Sequence, residues 1–161
     1  LKRFSATDRG GAERFDLADA VRRSAHWVEK AAPAHVQLLL DAPDAPVMLC
    51  GAAGRIQQVL INLVQNAVDA TAHHPAPRVS VRLTEADGWA TVTVADNGPG
   101  LSPEVQQRLF EPFFTTKPVG EGTGLGLSIS FGIVEQHGGQ LRADNAPEGG
   151  ARFTLRLPLA N

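Results

Sequence analysis

Cysteine is almost absent. Cys50 is the only one in 161 residues, so no disulfide can form within the chain and no cage of thiolates can hold a metal. That usage suits a reducing compartment, and the cytoplasm is the expected location. An excess of charge of one sign is lacking too. Fifteen basic and 17 acidic side chains leave a net charge of −2, and no run of Lys or Arg forms a stripe able to neutralise a phosphate backbone, which argues against nucleic acid as a partner. Long apolar runs are missing: residues 36–40 and 59–64, the latter interrupted by Asn62, fall far short of the roughly 20 residues that a spanning helix needs. Residues 1–10 have no apolar centre and do not read as a signal peptide. No direct membrane insertion of this segment is expected. What is present is ample for a fold. Apolar residues at 43% and charged residues at 20% exclude disorder and collagen-like repetition. A chain of this length removes about two-thirds of its unfolded surface from water.

The first four residues, Leu1-Lys-Arg-Phe4, give way to a polar stretch with two glycines. Residues 1–12 therefore read as the tail of a longer helix with a linker, and 13–161 as one domain. Asp16 is a suitable N-cap for a helix over 17–32, with Leu17, Val21, Ala25 and Val28 on one face and Pro33 ending it. Residues 36–40 and 47–50 read as two short strands, and the turn residues between them suggest a hairpin. A helix is expected over 53–71. Residues 79–83 and 90–94 alternate with period two and are joined through Asp87-Gly88, a strong hairpin signal that makes them the centre of a sheet. Of the 16 glycines, 11 lie between Gly98 and Gly150, a concentration of backbone freedom that calls for a reason. A short helix over 103–110, a longer one over 124–137 and strands over 140–143 and 152–157 complete the reading. The expected class is a two-layer α/β sandwich, a mixed and mostly antiparallel sheet covered on one face by helices.

Four segments carry chemistry-bearing residues. On the helix over 53–71, Gln58, Asn62, Asn66 and Asp69 form one polar seam on an otherwise apolar cylinder. Such a seam is either a solvated edge or a pair of amide oxygens reaching a hydrated Mg²⁺, which binds through one or two side chains plus phosphates. Asp96-Asn-Gly-Pro-Gly-Leu101 follows a strand directly. It is either an ordinary turn or a carboxylate at a strand end, accepting an amino group where Gly98 and Gly100 let the backbone pass close to a ring. Gly120-Glu-Gly-Thr-Gly-Leu-Gly-Leu127 runs straight into an apolar helix, leaving N–H groups at a positive helix end that suits phosphates. It is neither a Walker loop nor a Rossmann fingerprint. Between the glycine segments, Phe110-Glu-Pro-Phe-Phe-Thr-Thr-Lys117 reads either as a lid with an apolar latch and one cation, or as a surface loop pinned by Phe.

Taken in order, residues 62–70, 96–100, 110–117 and 122–127 resemble the N box, first glycine box, F box and second glycine box of sensor histidine kinases. The chain is identified as similar to the catalytic, ATP-binding domain of that family, in the superfamily of gyrase, chaperone, kinase and mismatch-repair ATPases with the Bergerat fold. The phrase Phe110-Glu-Pro-Phe-Phe-Thr-Thr-Lys-Pro118 looks most like the nitrogen- and dicarboxylate-responsive sensors. The resemblance covers most of residues 15–158. It implies that residues 1–12 are the end of a dimerisation helix and its linker. It implies ATP and Mg²⁺ as cofactors, with Asp96 accepting the adenine amino group, Gly98, Gly100 and Leu101 shaping the base pocket, and Asn66, helped by Asn62, holding the metal. Asp69, Phe110 and Thr116 fall among the implied nucleotide contacts. Gly122, Thr123, Gly124, Leu125, Gly126 and Leu127 are implied to cradle the phosphates while Lys117 closes over them.

The implied reaction is in-line transfer of the γ-phosphoryl group to a histidine on a separate dimerisation domain, with Asn62, Asn66 and Lys117 as the catalytic set. The implied partners are that phosphoacceptor domain and, through the full kinase, the receiver domain of a response regulator. The fragment is expected to be a monomer and its parent a homodimer, which the resemblance allows to be anchored in the inner membrane. Hydrolytic relatives carry a glutamate four residues before the metal-binding asparagine; Asn62 stands there, and an amide does not take a proton from water. None of His26, His35, His73, His74 or His137 has the setting of a phosphoacceptor. The rival readings are a nucleotide-responsive binding module without transfer activity and an ATPase of the same superfamily. Ala151 stands where many relatives have threonine.

Overall fold

Two sheets of unequal size organise the computed structural model, which describes residues 12–116 and 126–161. In chain order the elements are β1 (Glu13–Asp16), α1 (Leu17–Ala31), β2 (Gln37–Asp41), β3 (Met48–Gly51), α2 (Ala53–Ala70), β4 (Arg78–Ala86), β5 (Trp89–Asp96), α3 (Pro103–Arg108), α4 (Gly126–Gln136), β6 (Gln140–Asn145) and β7 (Ala151–Pro158). The main sheet has the order β2-β4-β5-β7-β6, parallel only between β2 and β4, and β1 pairs with β3 in a separate two-stranded ribbon. The expected α/β sandwich is the one observed.

The β4–β5 hairpin forms where Asp87-Gly88 marks it. Both residues have positive φ, 56° and 84°, the pair of left-handed conformations that a two-residue turn needs to match strand twist. Period two then sends Val79, Val81 and Leu83 of β4, Ala90, Val92 and Val94 of β5, and Phe153, Leu155 and Leu157 of β7 to one buried face. The register puts Val81 beside Val94 and Val94 beside Phe153, so the apolar rows are continuous across strands. Helices α1, α2 and α4 cover this face. Leu17, Val21 and Val28 of α1, Ile56, Leu60, Leu63 and Val64 of α2, and Val134 of α4 share one core with the strands. Each such aliphatic side chain contributes about 1.5–3 kcal/mol by leaving water. Truncating a fully buried one such as Leu63 to Ala should cost about 2–5 kcal/mol.

Asp16 caps α1 as its sequence position suggests, its Oδ1 accepting from Ala18 N at 2.9 Å. The same oxygen accepts from Val47 N at 2.9 Å, which joins the cap to the start of β3. The expected hairpin between residues 36–40 and 47–50 is not formed. Residues 37–41 pair in parallel with β4, and 48–51 pair antiparallel with β1. Two prolines, Pro43 and Pro46, remove donors from the connection, and no residue there supplies the positive φ of a tight hairpin. Parallel neighbours need a crossover, and the segment carrying β3 and α2 is that crossover. No helix among the described residues is long and apolar enough to cross a membrane.

Candidate functional site

The alternation along β5 decides where Asp96 points. It is the fourth inward position after Ala90, Val92 and Val94, so a carboxylate ends an otherwise apolar row on the helix-covered face and is only 7% exposed. Its Oδ1 accepts two backbone hydrogen bonds, from Gly98 N at 2.9 Å and from Ala151 N at 3.2 Å. Burial pushes the carboxyl above its ordinary value, and those two N–H groups oppose the shift. Oδ2 has no donor among the described residues and is not sealed from solvent. The arrangement leaves one fixed acceptor, in a largely apolar setting, for a donor that arrives from outside.

Helix α2 lies over the same face, in contact with β4 and β5. Its residues 62, 66 and 70 are spaced by four and therefore follow one line along the helix, about 6 Å apart at each step. At one end of that line, Asn62 Nδ2 donates to Ser130 Oγ of α4 at 3.2 Å. Asn62 Oδ1 stands 2.8 Å from where a Cβ on Gly126 would be, so the N-terminus of α4 is drawn tight against α2. At the other end, the Ala70 carbonyl oxygen meets Gly98 so closely that a Cβ there would collide with it. Asn66 sits between, half-buried, and no group among the described residues hydrogen-bonds its amide. The structure thus brings Asn62, Asn66, Asp96, Gly98, Gly126 and the start of α4 to one side of the molecule. Gln58, Ile61, Asn62, Gln65, Gly126, Ile129 and Ser130 line a recess of about 250 Å³ between α2 and α4.

Asp69 is exposed and accepts from Gln65 Nε2 at 3.0 Å, on the flank of the seam rather than in its centre. Leu101 is half-buried at the far end of the first glycine segment, and Leu127 is half-buried in the first turn of α4. Phe110 stacks on Phe131 of α4 with ring centroids 5.0 Å apart, which fastens the segment after α3 to the helix beside Asn62. Arg108 lies over the Phe114 ring at 4.6 Å, whereas Phe113 is exposed with φ of 69°. Thr116 is exposed. Lys117, Gly122, Thr123, Gly124 and Leu125 lie outside the described residues, as do residues 1–11, assigned from sequence to a helix end and linker.

Three contributors escaped the sequence reading. Gly150 has φ of 85° and packs on the Asp96 carbonyl so closely that a Cβ would collide with it; the pair Gly149-Gly150 was its only signal. Asn97 bridges the loop before β4, accepting from Arg78 N at 2.9 Å and donating to Ala76 O at 2.8 Å. His137 is buried beyond the end of α4, where Nε2 accepts from Ala52 N at 3.0 Å and Nδ1 donates to Ile133 O at 2.8 Å. Burial lowers its basicity, opposed by the Ile133 carbonyl and assisted by the charge of Arg55. It joins the end of α4 to the start of α2, whose N-cap Ala52 has no side chain to do so.

A larger concavity, about 860 Å³, lies on the uncovered face of the sheet, lined among others by Arg82, Arg142, Arg152 and Arg156. Arg82 and Arg152 are tied to Asp41 and Asp144 at 3.3 and 2.7 Å. It is an open trough between outward side chains, and the Asp96 side chain faces the other way.

A family model described as "Histidine kinase-, DNA gyrase B-, and HSP90-like ATPase" matches residues 51–161. The two-component sensor PprA of Pseudomonas aeruginosa is 46% identical over 131 residues, which are 78% of this chain and 14% of PprA. The C4-dicarboxylate transport sensor protein DctB of the same organism is 38% identical over 159 residues, 98% of this chain and 26% of DctB. The chain therefore spans about a quarter or less of the length of these relatives. Among solved structures, the catalytic domain of histidine kinase ThkA superposes with a TM-score of 0.81 at 32% identity, covering 91% of this chain and 95% of that one. With the motif order, the fold and these likenesses in agreement, the chain belongs to the histidine kinase-, DNA gyrase B- and HSP90-like ATPase family, as a catalytic domain of the sensor histidine kinase type.

Proposed function

We propose that this chain binds Mg-ATP at the Asp96–α2 site and transfers the γ-phosphoryl group to a histidine nitrogen on a dimerisation domain, releasing ADP, in two-component signalling. The observation that carries the reading is the Asp96 carboxylate. It is held by two backbone N–H groups on one oxygen and open on the other, on the same face as the paired-amide helix and the α4 N-terminus. Oδ2 accepts the exocyclic amino group of the base, while Gly98 and Gly100 set the path of the loop beside it by admitting the Ala70 carbonyl and the Asn145 amide. Asn66, a seam residue at the middle of the helix line whose amide has no partner among the described residues, is the metal ligand we favour. Asn62 is committed to Ser130 and serves chiefly to hold α4 against α2. An amide oxygen suits Mg²⁺, a hard cation that takes few protein ligands beside phosphates; when bound, it neutralises the charge of the triphosphate. Gly126 and Leu127 offer N–H groups at the positive end of α4 to the phosphates, and the motif order assigns the glycine segment before them to the same role. Lys117 supplies a cation to the same groups.

The protein contributes position and charge neutralisation rather than a covalent intermediate. Asn62 leaves no carboxylate to activate water, so hydrolysis is slow beside transfer. Support for nucleotide and partner comes from similar proteins: ShkA was solved in complex with AMPPNP and ThkA in complex with the response regulator protein TrrA. We place the acceptor on the dimerisation domain of the same kinase and the regulator downstream of it. The test is to mix the chain with a purified dimerisation domain and radiolabelled ATP. Acid-labile, base-stable label on that domain is the expected result; nucleotide binding without label on any cognate domain leaves only a binding module.

A further inference from the structure

The turn between β6 and β7 holds both ends of the loop that carries Asp96. Ala146 N bonds to Gly150 O at 2.9 Å and Gly149 N to Ala146 O at 3.0 Å, which closes the turn on itself. On its outgoing side, Ala151 N donates to Asp96 Oδ1 at 3.2 Å. On its incoming side, Asn145, the register partner of Ala151, grips the peptide groups of Leu101 with both ends of its amide. Oδ1 accepts from Leu101 N at 2.7 Å, and Nδ2 donates to Leu101 O at 2.9 Å. Gly100 between them has φ of 83°, and a Cβ there would lie 2.9 Å from Asn145 Oδ1. Residues 96–101 are thus pinned at one end by Ala151 and at the other by Asn145, the two residues facing each other across one hairpin.

We infer that Asn145 is a positioning residue for base recognition, setting the path of residues 98–101 and through it the direction in which Asp96 Oδ2 is offered. The inference rests on the adenine-nucleotide reading above and extends it to a residue outside the four sequence motifs. Both hydrogen bonds of the side chain go to the Leu101 backbone, so we read its action as passing through Leu101 rather than falling on the ligand. Its consequence is discrimination. An amino group and a carbonyl at the same ring position differ only in which partner they need, and a fixed acceptor separates them. A loop free to shift loses that distinction at the base while leaving the phosphate end, on α4, unchanged.

The experiment compares the wild-type chain with Asn145→Ala and Asn145→Asp, measuring competition by ATP and by GTP against a fluorescent adenine nucleotide. Thermal melting and amide hydrogen exchange at Leu101 are followed in parallel. Asn145→Ala should speed Leu101 exchange and weaken ATP roughly five- to fiftyfold, as expected for two lost hydrogen bonds. GTP should change little, so the preference for ATP shrinks. Asn145→Asp keeps an acceptor for Leu101 N and should restore part of both the protection and the preference. A folded Asn145→Ala with wild-type preference, or equal losses for ATP and GTP that simply follow a lower melting temperature, overturns the inference alone. Wild-type protein that binds neither nucleotide overturns the function reading and this inference with it.

Discussion

Replacing Asp96 by Asn separates recognition from folding at the centre of the site. Both backbone bonds go to Oδ1, so the substituted side chain keeps its amide oxygen there and puts NH₂ where Oδ2 had been. The shape is unchanged, but the offered group turns from acceptor to donor. Losing a charge-assisted hydrogen bond costs about 1.5–3 kcal/mol, and facing two donors in a confined site adds a similar amount. The sum is about 3–6 kcal/mol, or roughly 10²- to 10⁴-fold in ATP affinity. The unliganded fold should change by no more than about 1 kcal/mol, because the neutral amide is relieved of desolvation while its two bonds weaken. For a chain of this size that is about 2–4 °C in melting temperature.

The pH dependence carries its own sign. Burial raises the Asp96 carboxyl above 3.8, so the folded state keeps the proton longer than the unfolded chain. This group's contribution to stability is fully present below 3.8 and is lost as pH rises through the folded value. The Asp96→Asn variant lacks that slope and should gain on wild type across that window. Calorimetric titration with ATP and melting curves between pH 4 and 8 read both effects. A variant that binds ATP as wild type does, or one that unfolds by several kcal/mol before ligand is added, would refute the reasoning.

Asn66→Ala should leave nucleotide binding largely intact but remove most of its dependence on Mg²⁺, read by titration with and without the metal. Asn62→Ala should lower stability by about 0.5–1.5 kcal/mol through loss of the Ser130 hydrogen bond, measured by denaturant melts, and should not create ATP hydrolysis in a phosphate-release assay. His137 is held neutral, its basicity lowered from 6.5 chiefly by burial. Its contribution is present above 6.5 and lost as pH falls through the folded value, so wild type should weaken below 6.5 more steeply than His137→Ala. That variant should already be less stable at pH 8 by about 1–3 kcal/mol, since Ala52 N–H is left without its acceptor.

The parts of the fold legible in the sequence are those fixed by local rules. Asp87-Gly88 announced its hairpin because only a few residues tolerate two positive φ values in succession. Leu17, Val21, Ala25 and Val28 announced α1 because their spacing matches the helix. Pairing between distant segments was less visible. β1 is four residues long with two exposed and two half-buried positions, so it carries no alternation strong enough to attract β3. Without it, β2 and β3 looked like each other's natural partners. The site divided along the same line. Asp96 at a strand end and the asparagines on one helix face were recoverable from periodicity and motif order. Asn145 and Gly150 were not, because each acts on a peptide group some 50 residues away and nothing in their neighbours marks that peptide.

Four of the 11 glycines crowded between Gly98 and Gly150 have their explanation in close contacts of this kind, and they yield one more prediction. Gly98 admits the Ala70 carbonyl, Gly100 the Asn145 amide, Gly126 the Asn62 amide and Gly150 the Asp96 carbonyl. Each is a place where a polar group of the site approaches a backbone that has no room for a Cβ. Gly132 is different. It lies in the interior of α4, is exposed, and nothing stands within 4 Å of a Cβ built there. With no approach to protect, its only effect is the helix entropy that glycine costs, so Gly132→Ala should stabilise the domain by about 0.5–1 kcal/mol. Gly126→Ala, at the start of the same helix, should destabilise it by about 1–3 kcal/mol because Asn62 or α4 must give way. Melting the two variants side by side isolates the contact with Asn62 from helix propensity, which acts in the same direction at both positions. If Gly126→Ala gains stability as Gly132→Ala does, α4 is not drawn against α2 in the way the site requires.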